Sequence, residues 1–89
     1  MIVVSFSSSF KRAFKKRIKG NVELEARFWQ KLEQFTKDPF EPSLKTHKLS
    51  GNLQHSWSFS IDYDARVIFY FTDEGGAVFV DIGSHDEVY

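Results

Sequence analysis

Leu53-Gln54-His55-Ser56-Trp57-Ser58-Phe59-Ser60-Ile61 alternates in character residue by residue. A period of two belongs to a strand with one face on a core and the other in water. Tyr63-Asp64-Ala65 then reads as a turn. Arg66-Val67-Ile68-Phe69-Tyr70-Phe71 follows as a near-continuous apolar run, the pattern of a central strand. Asp73-Glu74-Gly75-Gly76 reads as a hairpin turn and Ala77 to Ile82 as the last strand.

Upstream of this sheet pattern the period lengthens. Phe10, Ala13, Phe14 and Ile18 fall on one helical stripe, preceded by Ser7, Ser8 and Ser9 as capping residues. Gly20 reads as the C-cap and Asn21 as the N-cap of a second helix, with Glu23 and Glu25 in its first turn. Leu24, Phe28, Leu32 and Phe35 continue the stripe until Pro39 and Pro42 stop it. A loop is expected from there through His47 to Asn52. Residues 2–6, β-branched and aromatic, read as a short first strand. The order β-α-α-β-β-β predicts an α+β domain spanning residues 1–89, with a helical hairpin packed on a mostly antiparallel four-stranded sheet.

The chain has 89 residues and is 42% hydrophobic with ten Phe, enough for one compact core. It has no cysteine, which excludes disulfides, a thiolate nucleophile and zinc–thiolate sites, and fits a reducing cytosol. No apolar run approaches the roughly 18 residues of a membrane span. The three histidines, 47, 55 and 85, lack metal-ligand spacing, and no phosphate-binding glycine motif occurs, so no metal and no cofactor are expected. The net charge of zero hides a division. Residues 1–49 hold eleven of the twelve bases against five acids, a net of +6, and residues 50–89 hold the remaining base against seven acids, a net of −6. Such asymmetry suits a basic face for a polyanion, and equally a solvated helix surface.

Few residues carry chemistry. His85 follows the strand-end turn Gly83-Ser84, where an imidazole can move a proton near neutral pH, or simply stand exposed. Arg66 is the one base of the second half and opens the most apolar strand. A charge there is either paired with an acid such as Asp64 or Asp81, or aimed at an anion. His47 lies between Lys45 and Lys48, a grouping that suits a phosphate backbone. Tyr89 can stack on a base or pack on the sheet. His55, alternating with apolar residues, is expected to be packed and without a catalytic role.

The element order, Lys48-Leu49-Ser50-Gly51, the strand opening Arg66-Val67-Ile68-Phe69-Tyr70 and the tail Ile82-Gly83-Ser84-His85-Asp86-Glu87-Val88-Tyr89 together resemble the RelE/ParE superfamily of bacterial toxins. His47-x-Leu49-x-Gly51 with the Gly-Ser-His tail looks most like the YafQ branch. The Arg66 strand and the terminal Glu87-Val88-Tyr89 look more like RelE. The resemblance implies a cytoplasmic toxin of a type II toxin–antitoxin system, silenced by a cognate antitoxin, that cuts messenger RNA in the ribosomal A site without a metal. It implies His85 as the favoured acid/base group, His47 as the second, Arg66 on the phosphate and Tyr89 on a base. Lys45 and Lys48 would hold backbone phosphates, and Lys11, Arg12, Lys15 and Lys16 would dock on ribosomal RNA. The chain departs from the RelE pattern at Ser58 and Ser60, where such members carry lysines, and from the YafQ pattern at Ile61, near the place of a histidine. A ParE-like inhibitor of DNA gyrase, and a relative that only binds antitoxin, are the competing readings.

Overall fold

The computed structural model describes residues 1–51 and 55–84. Strand β1 (Val4–Phe6) leads into helix α1 (Ser8–Arg17) and helix α2 (Val22–Lys37). A short 3-10 turn (Pro42–Leu44) precedes β2 (His47–Lys48), β3 (Trp57–Ser60), β4 (Ala65–Phe71) and β5 (Ala77–Ser84).

The helix boundaries follow from their caps. The Ser7 hydroxyl accepts the Phe10 amide at 3.1 Å, and the Asn21 side chain accepts the Leu24 amide at 3.1 Å, so each satisfies a helix-start N–H that has no partner within its helix. Helix α1 ends earlier than the glycine suggested. Ile18 caps it, with the Ile18 and Lys19 amides sharing the Phe14 carbonyl, and Gly20 (φ 97°) then turns the chain toward Asn21. Helix α2 ends at Asp38, whose extended backbone (φ −156°, ψ 103°) is the conformation that a following proline enforces.

The sheet has five strands in the order β1-β5-β4-β3-β2, one more than the four expected. The addition is β2: His47 and Lys48, read as loop, pair antiparallel with Ser58 and Trp57 at the sheet edge. Two residues are too few to leave a period in the sequence. Among the described strands only β1 runs parallel to its neighbour, with Val4 opposite Ala77 and Phe6 opposite Phe79. Its approach requires Gly76, because a Cβ there would stand 2.8 Å from the Val3 carbonyl oxygen. A bulge interrupts β4/β5 between the pairs Ile68–Asp81 and Phe69–Phe79. The Ser9 hydroxyl of α1 donates to the carbonyl of Val80, the extra residue, at 2.7 Å.

Both helices supply the core with phenylalanines. Phe35 of α2 stacks on Phe59 (5.0 Å) and meets Phe69 and Phe79 edge-on. Phe10 of α1 packs on Phe28 and Phe79. Two sequence expectations fail on β3. Ser58 and Ser60, read as a solvated face, are buried (0% and 8% exposed), and the Ser60 hydroxyl is turned onto the Asp62 carbonyl. His55, read as packed, is exposed in a turn ahead of β3. Among the described residues no helix is long and apolar enough to cross a membrane.

Candidate functional site: a cationic cleft

Two connections shape the site. The first is the bend between β3 and β4. Here the Asp62 carboxylate (Oδ1) accepts the amides of Asp64 (3.0 Å) and Ala65 (2.9 Å), and the Ile61 amide donates to the Ala65 carbonyl. This is the local turn that Asp makes with its own following backbone. It engages the Asp62 carboxylate as a structural group. Arg66, half-buried on β4 between Ser60 and Gly83, then reaches back. Its Nη1 donates to the Ser60 hydroxyl and to the Asp62 carbonyl (2.8 Å), and the Ser60 hydroxyl itself donates to that carbonyl (2.8 Å). Ser60 therefore fixes the arginine.

The second connection is the segment from α2 to β2. The buried Leu44 anchors the 3-10 turn. Glu41 holds its start, accepting the Ser43 amide at 3.0 Å, and Lys31 of α2 donates to the Ser43 hydroxyl at 3.2 Å. Lys45 caps the turn in the left-handed region (φ 53°), unusual for a residue with a Cβ. Its carbonyl lies 2.9 Å from His47 Nδ1. A carbonyl can only accept, so Nδ1 carries the proton in the neutral ring.

Between the two connections and α2 lies a cleft of about 600 Å³. Arg27, Gln30 and Lys31 line it from α2, Ser43 and Lys45 from the 3-10 turn, and Ser60, Ile61, Asp62, Tyr63 and Arg66 from β3, the bend and β4. Among the described residues, four cations thus line the cleft with one carboxylate already bonded to two amides. Arg and Lys held this close attract an anion, and the Arg fork matches a phosphate's oxygens.

The YafQ family model, that of a bacterial toxin of type II toxin–antitoxin systems, matches residues 2–89. The chain belongs to the YafQ toxin family. The Escherichia coli YafQ crystal structure covers 99% of its own length and 100% of this toxin, at 18% identity and a TM-score of 0.68. The YoeB–YefM complex of Staphylococcus aureus matches at 19% identity over 96% of this chain and 98% of that one, TM-score 0.74. HP0894 of Helicobacter pylori matches at 22% identity over all of both chains, TM-score 0.71. At such identities these structures speak for the shared fold. No curated protein sequence matches the chain.

In this YafQ-family toxin, Arg66 and Lys45 line the cleft and His47 adjoins it through the Lys45 carbonyl. Lys48 is exposed on β2, and Lys11, Arg12, Lys15 and Lys16 are exposed on α1, none of them among the cleft-lining residues. His85 and Tyr89 lie outside the described residues. The described part of β5 ends with Ser84 opposite Ala65, one residue from Arg66. Sequence reading passed over Arg27 and Lys31. Their signal was present: four positions apart on α2, they share a face beside the apolar stripe.

Proposed function

We propose that this toxin is a metal-independent endoribonuclease that cuts messenger RNA on the ribosome. The observation that carries the reading is the cleft in which Arg66, fixed by Ser60 and Asp62, faces Lys45, Lys31 and Arg27. In the reaction the 2′-hydroxyl of one nucleotide attacks its own 3′-phosphorus, and the bond to the next nucleotide's 5′-oxygen breaks. The products are a 2′,3′-cyclic phosphate and a 5′-hydroxyl. One group must take the 2′-proton, another must protonate the leaving oxygen, and a cation must stabilise the charged phosphorane. His85 and His47 share the proton transfers, Arg66 holds the phosphorane oxygens, Lys45 and Lys48 hold flanking phosphates, and Tyr89 contacts a base. Lys11, Arg12, Lys15 and Lys16 on α1 form the docking face for the 30S A site. A cognate antitoxin, acidic and partly disordered before it binds, silences the toxin in the bacterial cytoplasm, and the basic first half of the chain suits it.

The deciding experiment is cleavage of a translated message by wild type, His85→Ala and Arg66→Ala, with the new ends mapped chemically. Wild type is expected to leave 5′-hydroxyl ends, and each variant to lose about 10²-fold or more, the scale of a lost acid/base or charge-stabilising group. Full activity in His85→Ala would remove that residue from the mechanism. Inhibition of DNA supercoiling without RNA cleavage would transfer the toxin to the gyrase-directed class.

A further inference from the structure

We infer that Tyr63 is a stacking platform for an RNA base next to the scissile phosphate, an assignment that rests on the proposed endoribonuclease function. Tyr63 lies at the cleft with its side chain almost wholly in water (87% exposed), whereas Tyr70, on the sheet, is 42% exposed. A solitary exposed aromatic is common on protein surfaces. What distinguishes Tyr63 is the backbone beneath it. Its neighbour Asp62 is held on both sides, through Oδ1 by the Asp64 and Ala65 amides and through its carbonyl by Ser60 and Arg66. The ring therefore sits on a fixed bend, one peptide from the carbonyl that the Arg66 guanidinium grips at 2.8 Å. A phosphate on Arg66 brings its own base and that of the adjoining nucleotide into the neighbourhood of this ring. Single-stranded nucleic acid is held by this pairing of a cationic groove and an aromatic face, because every base offers a π surface. The ring thus contributes affinity and little choice among bases, whereas Lys45 and Arg66 contribute charge.

The test uses ribosomes programmed with a short message that carries a 2′-deoxynucleotide at the scissile position, which blocks cutting and leaves binding to be read by fluorescence anisotropy of labelled toxin. Tyr63→Ala is expected to bind about 5- to 100-fold more weakly than wild type, the range of one lost base–aromatic stack. Tyr63→Phe and Tyr63→Trp should stay within about threefold of wild type, since stacking needs the ring and not the hydroxyl. When the message is made abasic at one of the two positions flanking the phosphate, wild type and Tyr63→Ala should bind equally. Equal binding by Tyr63→Ala on the intact message, or the same loss on both abasic messages, overturns the assignment. Cleavage of an unmodified message by wild type separates the two claims. Cutting with Tyr63→Ala unimpaired removes the platform alone, and wild type that binds with the platform's signature but does not cut removes the endoribonuclease reading alone.

Discussion

In the proposed reaction Arg66 is a side chain prepared for an anion. The Ser60 hydroxyl and Asp62 carbonyl hold one end of its guanidinium, which limits the ordering that substrate must impose. Lysine keeps the charge and loses the planar fork, so Arg66→Lys is expected to cut messages at least about 10-fold less efficiently while its urea midpoint stays near that of wild type. Lys45 is the opposite case, a residue whose backbone is unfavourable for what its side chain does. A non-glycine residue in the left-handed region costs on the order of 1 kcal/mol. Lys45→Gly should therefore raise the urea midpoint by an amount worth up to about 1 kcal/mol. The same variant should raise KM for the message, because the ammonium leaves the cleft. A fall in stability would show that the left-handed turn was not the strained element, and an unchanged KM that the ammonium does not hold the message.

Among the elements, the edge strand β1 and the second helix each hang on one local feature. Gly76 lets β1 lie beside β5, and an added methyl would meet the Val3 carbonyl at 2.8 Å and the Thr72 hydroxyl at 3.2 Å. Backbone is what must move, so Gly76→Ala is expected to destabilise by about 1–3 kcal/mol in urea denaturation. The Asn21 cap of α2 is worth about 1 kcal/mol, and Asn21→Ala should lose that much. The N-caps, the proline stop and the hairpin turn were legible because each acts within a few residues of itself. Strand β2 and the β5 bulge were not, since both exist only through pairing with partners distant in the chain.

The whole molecule combines a phenylalanine core with a divided charge. Phe79 touches Phe6, Phe10, Phe35, Phe59 and Phe69, and so joins both helices to the sheet. Phe79→Ala is expected to cost about 3–5 kcal/mol, a large share of what a domain of this size has, and calorimetry should show a much lower or absent transition. The charge division predicts salt-sensitive RNA binding despite a net charge of zero. With Arg27, Lys31, Lys45 and Arg66 on up to four phosphates, log affinity should fall with log salt at a slope of roughly −3. That is about a 50-fold loss between 50 and 200 mM salt, measurable by titration, and a flat response would argue against the cleft as the RNA site.

Sequence alone determined the two helices, the β4–β5 hairpin, the α+β class and the singular position of Arg66. Each follows from side-chain periodicity, capping chemistry or charge placement, which act over a few neighbouring residues. Only the tertiary structure decided that Ser60 and Asp62 would grip Arg66, that Arg27 and Lys31 would face Lys45, and that Tyr63 would stand in water at the cleft they form. Those meetings depend on how α2 lies against the sheet and on the register of β3 with β4. Burial of the shared phenylalanine core sets that packing, and no local pattern in the chain encodes it.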